Sequence, residues 1–105
     1  MSTDALIDIH RLNQCIYLMA RGDKVAYMAT SLPQAKSSFE YVHEKLESYG
    51  IKHTAHQRGN YLAIDMPGYG SITFHISWRR QYGYSYDAVI VDEVGIYKDD
   101  MEVCE

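Results

Sequence analysis

The spacing of apolar residues along the chain predicts two amphipathic helices. The first covers residues 3–20, where the apolar stripe is formed by Leu6, Ile9, Leu12, Ile16 and Met19 at intervals of three and four positions. The second covers residues 32–49 and ends at Gly50. Ser31 precedes it as the predicted N-cap, and Gln34 stands where its side chain can reach back over the cap. Each helix therefore has an apolar side to bury against the rest of the domain.

The shorter apolar segments predict strands. Residues 24–30 show no strict alternation, which is typical of a strand buried on both faces. Residues 61–66 and 72–78 alternate apolar with polar side chains, and the Pro-Gly-Tyr-Gly sequence between them is typical of a turn. These two segments are therefore predicted to pair as a β-hairpin. The run over residues 87–91 predicts one further buried strand.

Two segments carry weaker patterns. The polar residues 52–60 are predicted to form either an edge strand or a loop, and residues 96–105 a short helix. Helices and strands alternate along the chain, an order that favours a sheet with helices packed on its faces. The sequence thus predicts a single three-layer α/β domain over residues 1–105, with a mixed, mostly parallel sheet that includes the β-hairpin.

Composition excludes several classes of protein. With 105 residues, 47% of them apolar and 23% charged, the chain has the make-up of one globular domain rather than of a disordered segment. No apolar run is long enough to cross a bilayer, and the acidic N-terminal segment does not resemble a secretion signal. We therefore expect a cytoplasmic protein without a membrane partner. Cys15 and Cys104 are expected to be reduced thiols.

The most informative chemistry lies at the end of the last predicted strand. The apolar run over residues 86–91 ends in the adjacent carboxylates Asp92 and Glu93. At the carboxyl end of a parallel strand, such side chains emerge into the crevice where α/β proteins bind ligands, and they could hold Mg²⁺ and orient a water. The alternative is a strand that ends in solvent-facing acids. The short pattern favours neither interpretation over the other.

A second candidate site combines aromatic rings with adjacent arginines: Trp78, Arg79, Arg80, Tyr82, Tyr84 and Tyr86. Such a segment can bind single-stranded nucleic acid, because guanidinium groups hold phosphates while bases stack on the rings. It fits a protein-binding surface equally well, since Trp, Tyr and Arg are enriched at interface hot spots. A third interpretation is structural, with the tryptophan closing the core and the arginines pairing with acids. The formal net charge of −4 weakens the nucleic-acid interpretation.

The five histidines form no recognisable metal motif. They are His10, His43, His53, His56 and His75. None of them stands in the H-E-x-x-H or C-x-x-C spacing of a zinc site. We therefore predict no histidine metal site, and Mg²⁺ at Asp92 is the one cofactor that the sequence leaves open.

Longer segments around the acid pair carry a family resemblance. KVAYMATS followed by QAKSSF, and GSITFHIS followed by YDAVIVDE, occur in an order and at spacings that are more specific than any one motif. They resemble the ATPase cores of helicases and phage terminase large subunits, which are P-loop NTPases. The similarity spans residues 3–94. It implies a P-loop NTPase-like fold in which Asp92 and Glu93 are the Walker B acids.

The phosphate loop of that family has no counterpart in the chain. The loop motif G-x-x-x-x-G-K-S/T, whose amides and lysine hold the phosphates, does not occur in the sequence. Residues 2–7 resemble the beginning of the helix that follows the loop, so the resemblance implies a core truncated at its N-terminus. ATP hydrolysis is then not expected, and the Walker B acids would be relics or would have been turned to another metal-dependent or structural use.

The resemblance implies a non-catalytic accessory binding protein of a phage or mobile element. The missing first strand is expected to leave an unpaired sheet edge or an altered strand order. An unpaired edge would pair with a protein partner, such as a nucleic-acid-processing enzyme, or with a second copy of the chain in a homodimer, although a covering helix would satisfy it equally well. The alternatives are a nucleic-acid-binding protein and a residual metal-dependent nucleotide hydrolase that uses Asp92 and Glu93.

Overall fold

The chain folds as a five-stranded mixed sheet that carries two helices. The computed structural model describes residues 7–76 and 85–92. In chain order the elements are α1 (Ile9–Ala20), β1 (Lys24–Met28), α2 (Leu32–Ser48), β2 (Thr54–Arg58), β3 (Tyr61–Asp65), β4 (Ser71–His75) and β5 (Ala88–Val91). The strand order across the sheet is β2-β3-β4-β1-β5, and the described residues form one compact α/β domain.

The sheet contains equal numbers of parallel and antiparallel pairings. β1 lies between β4 and β5 and runs parallel to both. The pairs β2–β3 and β3–β4 are antiparallel, so the prediction of a mostly parallel sheet is wrong. The reason is that short turns join β2, β3 and β4 in succession, and a short turn can only reverse the chain.

The predicted hairpin is confirmed as β3 and β4. Its turn closes where the Met66 N–H donates to the Gly70 carbonyl at 2.9 Å and the Tyr69 N–H donates to the Met66 carbonyl at 2.8 Å. Gly68 adopts a φ of +83°, which side chains other than glycine rarely tolerate. Of the two interpretations of residues 52–60, the edge strand is confirmed as β2.

Both helices pack on the same face of the sheet. They contact each other, and their buried side chains join those of the sheet in one cluster. The cluster includes Leu12, Cys15 and Met19 of α1, Phe39, Val42 and Leu46 of α2, and Val25, Tyr27, Leu62, Ile64, Ile72, Phe74 and Ile90 of the sheet. The described residues therefore form two layers, and the third predicted layer stays a prediction. The helix predicted over residues 96–105 lies outside the described residues.

The structure confirms the predicted start of α2 and corrects that of α1. At α2, Ser31 Oγ accepts from the Gln34 N–H at 3.3 Å, and Gln34 Oε1 accepts from the Thr30 N–H at 2.8 Å. The cap is thus at the predicted residue. At α1, the Asp8 side chain accepts from the Arg11 N–H at 3.1 Å, and the helix begins at Ile9. The predicted start at residue 3 is wrong for residues 7 and 8, which precede the helix.

Candidate functional site

Asp92 stands at the carboxyl end of β5, but it does not face an open crevice. Its relative exposure is 0%. The Tyr27 hydroxyl on the neighbouring strand β1 donates to Asp92 Oδ2 at 2.5 Å, and the Asp92 N–H donates to the Met28 carbonyl at 3.0 Å. The carboxyl group of Asp92 is therefore buried beside the Tyr27 hydroxyl. Glu93 lies outside the described residues, so the catalytic role of this pair stays a prediction.

Two carboxyl groups from distant parts of the chain lie near the Tyr27 hydroxyl. Burial raises the pKa of Tyr27 far above its usual range, and the hydrogen bond to Asp92 and the charge of Asp8 add to that increase. The hydroxyl consequently stays protonated and remains a donor. Asp8 itself is buried and caps α1. The start of α1 and the end of β5 thus meet at Tyr27, with each acid engaged in a structural contact.

The segment rich in arginine and aromatic residues is described only at its end. Trp78, Arg79, Arg80, Tyr82 and Tyr84 lie outside the described residues, so their role stays a prediction. Tyr86 is half-buried, and its hydroxyl lies 2.9 Å from His75 Nε2. Burial lowers the pKa of His75. Tyr86 therefore has a structural contact in addition to the binding role predicted for it.

The two edges of the sheet differ in chemistry. All five residues of β2 are exposed, and four of them are polar, with the sequence Thr-Ala-His-Gln-Arg. β5 has the sequence Ala-Val-Ile-Val, and its Val89 and Val91 are 39% and 43% exposed. Polar and charged side chains protect an edge against pairing with other chains, whereas exposed valines do not. The β5 edge is therefore the one suited to contact.

Three metal-ligating side chains meet at a place that the sequence motifs did not indicate. His43 and Glu47 on α2 and His53 in the segment before β2 offer ligand atoms that all lie within 4.8 Å of one another. His43 and His53 are ten residues apart in sequence, a spacing that matches none of the motifs considered. Only the path of the chain from α2 back to β2 brings them together.

The fold and these sites define a small α/β domain in which two helices cover one face of a mixed sheet. Comparison with models of protein families, with curated proteins and with solved structures found no match to this chain. Within residues 7–76 and 85–92, the helices are too short or too polar to cross a bilayer.

Proposed function

We propose that the chain is a non-catalytic binding domain that engages a protein partner by strand addition at the outer edge of β5. The observation that carries this proposal is the pair of exposed valines, Val89 and Val91, on an edge strand whose counterpart β2 is polar. In strand addition the backbone supplies affinity, and alternate side chains supply specificity. β5 offers both kinds of contact.

The position of β5 at the edge of the sheet supports this mode of binding. The Asp92 N–H donates to the Met28 carbonyl on β1. At the other end of the strand, the Asp87 N–H donates to the Lys24 carbonyl, so β5 is held to β1 along one side. None of the other strands in the described part of the chain pairs with the opposite side of β5. An extended peptide could therefore continue the sheet there.

The proposal includes descent from a P-loop NTPase core. Two observations support this descent. β1 and β5, which lie in the segments that carry the resemblance, are parallel neighbours, and α1 begins near the end of β5. With α1 beginning at Ile9, the position of a phosphate loop falls on residues 1–8, MSTDALID, which contain neither glycine nor lysine. A triphosphate would then have little more than a helix N-terminus, worth about 1 kcal/mol and already capped by Asp8.

The burial of Asp92 is a second argument against nucleotide hydrolysis. A Walker B acid must reach a metal ion or a water, whereas the Asp92 carboxyl group accepts from Tyr27 inside the protein. We therefore expect calorimetric titration with ATP and Mg²⁺ to give no tight binding. Micromolar affinity that is lost in Asp92→Asn would favour the residual nucleotide hydrolase instead.

Strand addition is tested by introducing two positively charged side chains on the β5 edge. The variant Val89→Lys/Val91→Lys keeps the backbone but adds charge to the contact, as protected edges do. Tyr61→Lys is the matched control, because Tyr61 is 53% exposed on β3, which pairs with β2 at the opposite edge of the sheet. Tagged wild type and Tyr61→Lys are expected to retain the same protein from a bacterial host lysate, identified by mass spectrometry, and the double variant is expected to lose it.

Sedimentation of the purified chain distinguishes a different partner from a second copy. A homodimer that dissociates in Val89→Lys/Val91→Lys would make the partner another molecule of this chain, paired about a two-fold axis. Retention of the captured protein by the double variant would contradict the use of the β5 edge. A salt-dependent shift of single-stranded DNA that is abolished by Arg79→Ala with Arg80→Ala would favour the nucleic-acid alternative.

A further inference from the structure

We propose that His43, Glu47 and His53 form a binding site for a divalent transition-metal ion of the Zn²⁺ class. Their ligand atoms lie within 4.8 Å of one another at the carboxyl end of α2. Two imidazoles and one carboxylate are a ligand set that suits Zn²⁺ and its neighbours, and three protein ligands leave a fourth position for water. The site is separate from Asp92 and from the β5 edge.

The hydrogen bonds of His53 leave one ring nitrogen available to a metal. His53 Nδ1 lies 2.8 Å from the Ile51 carbonyl, which can only accept, so Nδ1 carries the proton. In the neutral ring, Nε2 is then unprotonated, and its lone pair can bind a metal ion. Metal-binding histidines commonly have this arrangement, in which the second nitrogen donates to a backbone carbonyl and fixes the ring.

The His53 lone pair points at the second proposed ligand. His53 Nε2 lies 2.8 Å from His43 Nδ1, so in the neutral pair His43 donates to His53. An ion between the two nitrogens would replace this proton: His43 would coordinate through Nδ1 and carry its proton on Nε2. The nitrogens need to separate by only about 0.5 Å to reach the spacing of ligands around tetrahedral Zn²⁺, whose Zn–N distance is about 2.0–2.1 Å.

Packing orients the His43 ring before any ion binds. Phe39, which is buried in the core, stacks on the His43 ring with 6.4 Å between centroids and 11° between planes. Glu47 lies one helical turn after His43 on α2, so its carboxylate is on the same side of the helix. His43 and His53 are half-buried and Glu47 is exposed, which gives an ion access from solvent.

The test is calorimetric titration of the full chain with ZnCl₂, followed by Co²⁺ absorption spectra to report the ligand geometry. We expect saturable binding at one ion per chain and a Co²⁺ spectrum typical of tetrahedral nitrogen and oxygen ligands. His53→Gln and His43→Gln should each weaken binding by at least about tenfold. Glu47→Gln, a change at an exposed residue that leaves the core intact, should weaken it as well.

Two other histidines supply the controls. His10 is exposed on α1, and His56 pairs with Asp65 at 3.0 Å on β2 and β3. His10→Gln and His56→Gln should leave the Zn²⁺ affinity unchanged within about twofold, given that neither residue belongs to the cluster. The proposal is overturned if wild type gives no saturable Zn²⁺ binding, or if binding survives Glu47→Gln and His53→Gln but is lost in His56→Gln.

Discussion

Tyr27→Phe removes one oxygen atom from the centre of the protein and tests what Asp92 does there. Tyr27 and Asp92 are both 0% exposed, so no bulk water can replace the lost hydroxyl. The Phe ring retains the apolar contacts of Tyr27, including its edge contact with Phe74 at 5.9 Å between centroids. The substitution therefore isolates the hydrogen bond to Asp92 from the packing of the ring.

The expected loss follows from what remains at Asp92. Removing one partner of a buried hydrogen bond costs about 1–3 kcal/mol, because the other partner stays desolvated. Asp92 has a further interaction besides its bond to Tyr27, so we expect a value near the middle, about 2 kcal/mol. For a domain of this size that corresponds to a decrease in Tm of about 8–16 °C.

Urea unfolding followed by circular dichroism measures this loss, and Tyr41→Phe is the matched control. The Tyr41 hydroxyl donates to Asn13 Oδ1 at 2.9 Å in an exposed pair, so its removal should cost less than about 0.5 kcal/mol. Adding Asp92→Asn should reduce the effect of Tyr27→Phe, since the two residues interact directly. Equal and small losses in Tyr27→Phe and Tyr41→Phe would refute a structural role for the Asp92 carboxyl group.

Three further changes test other parts of the structure. Gly70→Ala directs a Cβ against the backbone carbonyl oxygens of Asp23 and Met19, and it should lower the unfolding free energy by about 1–3 kcal/mol in urea titrations; an unchanged midpoint would contradict this packing. Burial, with the charge of Asp8, raises the pKa of the Cys15 thiol to about 12, so in a Cys104→Ser background iodoacetamide should label Cys15 only when the protein is unfolded. The native pKa of His75 is lowered by burial, so the unfolded chain takes up a proton near the ordinary value of 6.5 before the native protein does. Stability should therefore fall as the pH decreases below about 6.5, and the urea midpoint of His75→Gln should depend less steeply on pH.

The sequence predicted best those elements that local residues determine. The cap at Ser31 and the turn over residues 67–70 depend on neighbours within four positions, and both are found where the pattern placed them. At α1 the apolar stripe extended the predicted helix too far towards the N-terminus. Ile7 packs against the core without being helical, and the Asp8 cap fixes the first turn.

Contacts between distant residues could not be predicted from the sequence. Asp92 is buried because Tyr27, 65 residues earlier, donates to it across two parallel strands. β2 contains no apolar pattern, and it is a strand because β3 pairs with it. The His43–His53 contact likewise depends on the return of the chain from α2 to β2. Each of these features requires the strand order, which the spacing of apolar residues does not determine.

The proposed metal site and the proposed binding edge are far enough apart to be tested independently. His53 precedes β2, which lies at one edge of the sheet, and Val89 and Val91 lie on β5 at the other. Four strand spacings of about 4.8 Å separate these edges by about 19 Å, and substitutions more than 10 Å apart usually act independently. Val89→Lys/Val91→Lys should therefore bind Zn²⁺ as wild type does, and His53→Gln should still capture the protein partner. Loss of partner capture in His53→Gln, with the fold intact by circular dichroism, would instead mean that the metal site and the β5 edge are coupled through the sheet.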